Sequence, residues 1–98
     1  MKVTSSKSGS ACTLTVEGKI DTATAPELEE AVKSNLPKCD TMIFDFNHVD
    51  YITSAGLRVL VYAQRALMKK GGVAVTGVND SIKNIFTVTG MNKVLKIK

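Results

Sequence analysis

Ser54 is the residue whose type and position first suggest chemistry, because it stands where an extended pattern gives way to a helical one in the segment Asp50–Leu60, DYITSAGLRVL. A serine at such a turn can act as a nucleophile when glycines lie two residues before and two after it and a histidine takes its proton. Gly56 fits this pattern, but Ile52 occupies the earlier glycine position. The single histidine, His48, belongs to the same stretch of chain, whereas a catalytic triad draws on separate strands. We therefore do not expect acyl-transfer chemistry.

Phosphate loops and metal sites are the next chemistry to consider. A nucleotide-binding loop needs GxxxxGK followed by Ser or Thr, or GxGxxG at the start of a helix, and neither pattern occurs. The pair Gly71-Gly72 follows a helical segment instead of opening one. Asp21, Asp45 and Asp50 stand at candidate strand ends, but their spacing fits no set of metal ligands, and such carboxylates commonly cap turns. We expect no metal, no cofactor and no enzymatic activity of the chain itself.

Composition excludes further classes of protein. The 98 residues suit one domain, 1–98, and their net charge of +4 comes with only 2 Tyr, 3 Phe and no Trp. A nucleic-acid-binding domain usually gathers its cations beside aromatic platforms, so we expect no direct nucleic-acid contact. No apolar run approaches the ~20 residues of a membrane span, and no signal-peptide core is present. Cys12 and Cys39 form no CxxC pair, which favours reduced thiols in a cytoplasmic protein.

The elements that must position Ser54 follow from the hydrophobic pattern. Residues 1–17 are predicted to form a hairpin, because SKSGS has the Gly and Ser of a turn and CTLTVEG after it alternates at period two. A helix is predicted over 25–35, ended by Pro37. Thr24 and Glu27 have the spacing of a capping box at its start.

The second half of the chain reads as alternating strands and helices. A buried strand is predicted over 41–46, a loop over 47–53, a helix over 55–70 and another buried strand over 73–76. The inward face of that helix is predicted to consist of Leu57, Leu60, Val61, Gln64 and Leu67.

The end of the chain adds one more helix and one more strand. Asp80 is expected to cap a helix that runs to Val88 and ends at Gly90, and 94–97 is expected to form an edge strand. The predicted fold is an α/β single domain with a mixed central sheet of about four to five strands, an antiparallel start and helices packed mainly on one side.

Ser54 has two interpretations in this framework. As the predicted N-cap of the helix over 55–70, its hydroxyl would accept from the free backbone N–H groups behind it, which alone explains the residue type. An exposed hydroxyl at a helix N-terminus can also be esterified by phosphate, because the positive end of the helix dipole favours the dianion. Gly56 costs roughly 1 kcal/mol of helix propensity relative to Ala, which indicates either close approach of a partner or tight packing against a neighbouring loop.

Four motifs in order resemble one family. Thr53–Leu57, TSAGL, resembles the phospho-acceptor motif DS[S/T/A]GL of STAS domains, in particular the small stand-alone anti-sigma factor antagonists of bacteria. Residues 18–28 resemble the family segment GE[I/L]D…TAPxL, Gly71-Gly72 stands where the family has Gly-Gly before a strand, and Ile85–Met91 resembles LFxx[T/S]GL. The resemblance covers residues 11–97.

The resemblance implies a sheet of four to five strands with helices on one side and a partner-switching function. The unphosphorylated protein would bind an anti-sigma factor that is itself a serine kinase of the histidine-kinase-like ATPase fold, and would thereby release the sigma factor. Phosphorylation of Ser54 would end binding, and a metal-dependent serine phosphatase of the PPM type would restore it. ATP and Mg²⁺ belong to the kinase, so no cofactor is implied for this chain.

One position departs from the family motif: Thr53 replaces the acidic residue before the phospho-acceptor, which admits Thr53 as a second acceptor. Asp21 matches the family Asp and is expected to form a wall of the docking surface. The full partner-binding set expected from the resemblance is Asp21, Thr22, Thr24, Thr53, Ser54, Ala55, Gly56, Leu57, Arg58 and Val61. A STAS-type scaffold, or a module that senses a nucleotide or another small ligand without a phosphorylation switch, is the alternative.

Overall fold

Five strands form one mixed sheet and cross it in the order in which they occur in the chain. The computed structural model describes residues 1–98. The first two strands are antiparallel, and each later pair of neighbours is parallel. The strands are β1 (Lys2–Ser8), β2 (Ala11–Ile20), β3 (Thr41–Ile52), β4 (Gly72–Thr76) and β5 (Lys96–Ile97). The predicted hairpin, parallel pairing and edge strand are confirmed.

Three α-helices connect the strands. They are α1 (Ala25–Asn35), α2 (Ser54–Leu67) and α3 (Asp80–Thr89), and short 3-10 turns follow α1 at Leu36–Lys38 and α3 at Met91–Lys93. α1 has the bounds predicted from sequence, because one proline fits its first turn and another stands just beyond its last residue. The turn after α3 shortens β5 relative to the strand expected over 94–97.

One face of the sheet packs on the helices and builds the core. Along residues 11–16 of β2 and 41–46 of β3 alternate side chains are buried, as the pleat of a strand requires, and the intervening ones are partly exposed. The buried side chains of these two strands are Cys12, Leu14, Val16, Ile20, Met42, Phe44, Phe46, Val49 and Ile52. They belong to one cluster of 23 buried residues that also includes side chains of all three helices. The predicted α/β fold, with helices on one side of a mixed sheet, is confirmed.

β3 runs to Ile52, so the loop predicted over 47–53 is wrong. The second half of β3 pairs with residues 17–20 of β2, and the register shifts between Thr15 and Glu17 and again between Gly18 and Lys19. These irregularities break the strict alternation of apolar and polar residues that marks a strand in sequence. The parallel strand ends at Ile20 and Ile52 therefore lie side by side.

The buried face of α2 also differs from the prediction. Leu60 and Leu67 are buried as expected, whereas Leu57, Val61 and Gln64 are only partly buried. The buried residues of α2 are Gly56, Val59, Leu60, Ala63 and Leu67. The small residues Gly56 and Ala63 allow the helix to approach the sheet closely. The prediction relied on large apolar residues and therefore did not place these two on the buried face.

α1 has its predicted N-cap residue, Thr24, but not the side-chain bond of a capping box, and the predicted cap of α3 is wrong by one position. Thr24 precedes α1 but makes no side-chain cap bond, since its hydroxyl donates to the backbone carbonyl of Lys19 at 2.8 Å. Asp80 is the first residue of α3, and the cap is Asn79, whose Oδ1 accepts from the N–H of Ile82 at 2.8 Å. The Asn79 Nδ2 also donates to the carbonyl oxygens of Val49 and Asp50, which ties α3 to β3. α3 ends at a glycine with φ +78°, as expected for a C-cap.

Candidate functional site

The N-terminus of α2 places Ser54 at the surface. Ser54 is the first residue of α2 and is exposed, and the N-cap is Thr53, so the prediction that Ser54 caps the helix is wrong by one position. The N–H of Thr53 donates to the carbonyl oxygen of Ile20 at 2.9 Å, and its own carbonyl accepts from the N–H of Leu57 at 3.0 Å. No side chain caps the helix, so its first backbone N–H groups have no side-chain partner and, with the helix dipole, favour an anion.

Thr53 and Ser54 differ sharply in accessibility. The Oγ1 of Thr53 is shielded from solvent and has no hydrogen-bond partner. An unpaired buried hydroxyl costs about 1–3 kcal/mol. Of the two candidate acceptors, Ser54 therefore presents its hydroxyl to an enzyme in the folded protein, and Thr53 does not.

Gly56 holds α2 against the ends of β2 and β3. A Cβ at this position would lie 2.5 Å from Ile20 Cγ2 and 2.6 Å from Ile52 Cγ1, distances that packed carbon atoms do not adopt. The residue is buried, and its neighbours are strand ends, not the loop considered from sequence. Packing thus accounts for this glycine, which offers no surface to a partner and instead fixes the position of Ser54 two residues earlier.

The turn after β2 forms the second part of the site. The carboxylate of Asp21 accepts from the backbone N–H of Ala23 at 3.0 Å and of Thr24 at 3.1 Å. The backbone N–H of Asp21 in turn donates to the Thr24 hydroxyl at 2.9 Å. The hydrogen bond from the Thr24 N–H is the main cause that holds the pKa of Asp21 below its ordinary value. The turn therefore presents a fixed, ionised carboxylate.

A cleft of about 200 Å³ separates α1 from the first turns of α2. Its lining includes Thr22, Ala55 and Arg58, three residues that the sequence assigns to the docking surface, together with the Glu29 carboxylate of α1. Because Thr22 follows β2 while Ala55 and Arg58 follow β3, parallel pairing of these strands brings the two segments to one edge of the sheet.

The predicted docking residues are distributed over these two segments. Thr22, Ser54 and Arg58 are exposed, and Gly56 is buried. The partly exposed members of the set are Asp21, Thr24, Thr53, Ala55, Leu57 and Val61.

Two further exposed residues of α2 are absent from the predicted docking set. Tyr62 and Arg65 line a shallow groove of about 360 Å³ together with Arg58 and Val61. The ammonium of Lys33 on α1 lies 6.0 Å from the centre of the Tyr62 ring. Tyr62 and Arg65 lie four and seven residues after Arg58, a spacing that places all three side chains on one helix face.

The remaining ionisable groups form no second centre. No three His, Cys, Asp or Glu side chains lie together as a metal site would require. Cys12 and Cys39 are buried, unbonded to each other and both close to the Asn35 carbonyl oxygen, with the Cys39 thiol donating at 3.3 Å. Burial raises the pKa of Cys39 to about 11. None of the helices has the length and apolar character needed to span a bilayer.

Comparison with known proteins identifies the family. The family model described as the STAS domain matches residues 2–98. The chain belongs to the STAS domain family. An anti-sigma-B factor antagonist of Listeria monocytogenes is 32% identical over 85 residues, which span 85% of this chain and 75% of that protein. The resemblance inferred from the four motifs is therefore confirmed.

Solved structures share the STAS fold of this chain. An anti-sigma factor antagonist from Mycobacterium paratuberculosis has a TM-score of 0.89 at 24% identity, covering 98% of this chain and 83% of that one. The anti-sigma factor antagonist SpoIIAA in its unphosphorylated form has a TM-score of 0.84 at 12% identity, covering 99% and 88%. The Bacillus cell fate determinant SpoIIAA in the phosphorylated form has a TM-score of 0.76, also at 12% identity, covering 99% and 91%. At these identities the likeness is one of fold.

Proposed function

We propose that this chain is an anti-sigma factor antagonist that acts by partner switching in the cytoplasm. Its unphosphorylated form binds an anti-sigma factor that is also a serine kinase of the histidine-kinase-like ATPase fold, and so releases the sigma factor. Phosphorylation of Ser54 ends binding. The observation that carries this proposal is the exposed Ser54 at the uncapped start of α2, within a segment that resembles the family's phospho-acceptor motif.

Relatives support the assignment. The Listeria protein that shares 32% identity is an anti-sigma-B factor antagonist. SpoIIAA, whose fold this chain shares, has been solved in unphosphorylated and phosphorylated forms. A protein of this fold can therefore carry a phosphate and remain folded.

Local electrostatics at Ser54 favour the same behaviour here. The first turn of α2 contains no acidic residue, and its free N–H groups and helix dipole stabilise negative charge. Arg58 lies four residues further along the helix, and the long side chain of a helical residue leans toward the preceding turn. A phosphate on Ser54 would thus meet donors within its own chain, and we expect the phosphorylated domain to keep its fold.

The same phosphate would act against a bound partner. It adds about −1.5 to −2 charge at the position of Ser54, which carries a neutral hydroxyl when the partner binds. Every 1.4 kcal/mol lost is tenfold in affinity, and charge placed in a desolvated interface costs several kcal/mol. We expect at least about a hundredfold loss of affinity. ATP and Mg²⁺ would be bound by the kinase, and a PPM-type serine phosphatase would return the protein to its binding form.

The test is a phosphorylation assay with each histidine-kinase-like serine kinase of the same genome, in ATP and Mg²⁺, read by intact mass and phosphosite mapping. We expect a single phosphate on Ser54 with one kinase, no phosphate on Ser54→Ala, and an unchanged result for Thr53→Val. Phosphate on Thr53 would contradict the assignment of the acceptor. A stable complex without any phosphate would favour the scaffold alternative.

A further inference from the structure

The exposed face of α2 carries arginines and no acidic residue. No Asp or Glu occurs between Asp50 and Asp80, a stretch that includes all of α2. The residues at helical spacing along the exposed face are Ser54, Arg58, Val61, Tyr62 and Arg65. Side chains at such spacing share one side of a helix, so the two arginines flank an apolar and aromatic centre.

Both arginines are available to a partner. The ion pairs of the structure are Lys33 with Glu29 and Lys70 with Asp40, so neither arginine of α2 is engaged. Arg58 and Arg65 are exposed and line the groove of about 360 Å³ with Val61 and Tyr62. Tyr62 is 40% exposed. Its ring offers apolar area to a partner, and its hydroxyl offers a group that can form a hydrogen bond.

We propose that this groove binds an acidic surface of the anti-sigma factor, with one carboxylate opposite Arg58, a second opposite Arg65 and an apolar side chain between them. The inference rests on the proposed function and specifies the chemistry of its partner. Guanidinium groups bind carboxylates bidentately, and Tyr and Arg are the residue types that most often dominate binding energy in interfaces. The docking surface thereby extends along α2 from Ser54 to Arg65.

A protein partner fits the groove better than a nucleic acid does. Lys33 approaches one face of the Tyr62 ring, which obstructs the ring as a platform for a base. Carboxylates need no aromatic platform, because guanidinium groups bind them directly and bidentately.

The experiment measures affinity by titration calorimetry, using the kinase that phosphorylates or binds the wild-type protein. Arg58→Glu and Arg65→Glu are compared with Lys7→Glu and Lys93→Glu, which change the net charge equally at exposed positions outside α2. We expect each arginine variant to lose at least tenfold in affinity and each lysine variant to stay within threefold. Circular dichroism should show all four folded, because the four side chains are exposed.

The outcomes separate this inference from the proposed function. If the wild type binds a kinase and the arginine variants bind as well as the lysine variants, the acidic surface is refuted and the antagonist function stands. If the wild type binds none of the kinases, the proposed function fails and this inference fails with it. If a 20-nucleotide single-stranded DNA binds the wild type and loses affinity only with the arginine variants, the groove is a nucleic-acid site and the inference is overturned.

Discussion

Replacing Gly56 with alanine tests how the position of Ser54 is fixed. The added Cβ would lie 2.5 Å from Ile20 Cγ2, 2.6 Å from Ile52 Cγ1 and 2.9 Å from Ile52 Cδ1. Carbon atoms in contact prefer about 3.5–4.0 Å, so α2 or both side chains must move by roughly 1 Å. Both isoleucines are buried at the ends of adjacent strands, which leaves them little freedom to yield.

The expected loss of stability follows from two opposing contributions. Overpacking of a well-packed core costs typically 1–3 kcal/mol, and the upper end applies because three contacts in two β-branched side chains are involved. Alanine restores about 1 kcal/mol of helix propensity. The net expectation is a loss of about 2 kcal/mol, or about 8–16 °C in Tm for a domain of this size.

Urea unfolding followed by far-ultraviolet circular dichroism measures this change. Ala66→Gly, at an exposed position of the same helix, is the control for helix propensity and should lose at most about 1 kcal/mol, because position 66 is next to last in α2. A Gly56→Ala variant as stable as the wild type would refute the packing argument. If that variant also lost affinity for the kinase, the glycine would instead serve close approach of the partner.

Three further predictions concern single side chains. Thr53→Val should raise the free energy of unfolding by about 1 kcal/mol, because it removes a buried hydroxyl that has no partner and keeps the shape of the side chain. Asn79→Ala should lower it by about 1–2 kcal/mol through loss of the cap of α3, whereas Asp80→Ala should change it by a few tenths. The hydrogen bond from the Thr24 N–H lowers the pKa of Asp21 in the folded protein. The ionised carboxylate therefore stabilises the fold at pH values above the unfolded pKa of about 3.9. This stabilisation is lost as the pH falls through the lower folded pKa. Asp21→Asn should therefore weaken the decline of stability with acid in urea titrations between about pH 5 and 2.

Each of these predictions has a result that contradicts it. A less stable Thr53→Val would mean that the hydroxyl has a partner, such as a bound water. Equal losses of stability for Asn79→Ala and Asp80→Ala would indicate that Asp80 caps α3 to the same extent, as the sequence suggested. An Asp21→Asn variant with the same acid profile as the wild type would show that other carboxylates control the acid transition.

Elements marked by local patterns could be predicted from the sequence. The bounds of α1 follow from prolines at both ends, and β4 follows from a short apolar run. The phospho-acceptor candidate Ser54 also follows from a local motif, TSAGL. Patterns of this kind depend only on residues that are neighbours in the chain, so they can be recognised without knowledge of the tertiary structure.

Features set by distant contacts could not be predicted in the same way. The second half of β3 depends on pairing with residues 17–20, across a register shift that sequence alternation does not show. The Thr24 hydroxyl bonds to the Lys19 carbonyl instead of capping α1. The sequence allows two interpretations of Gly56, and the contacts with Ile20 and Ile52 decide between them. In each case the decisive partner lies on another element.

The measurement that tests the central claim most directly is the affinity of the kinase for two forms of this protein, one unphosphorylated and one fully phosphorylated on Ser54. Titration calorimetry in a nucleotide-free buffer prevents further phosphorylation, and circular dichroism of both forms checks that the fold is retained. Partner switching predicts tight binding of the unphosphorylated form and at least a hundredfold weaker binding of the phosphorylated form. Affinities within threefold of each other would contradict a switch at Ser54.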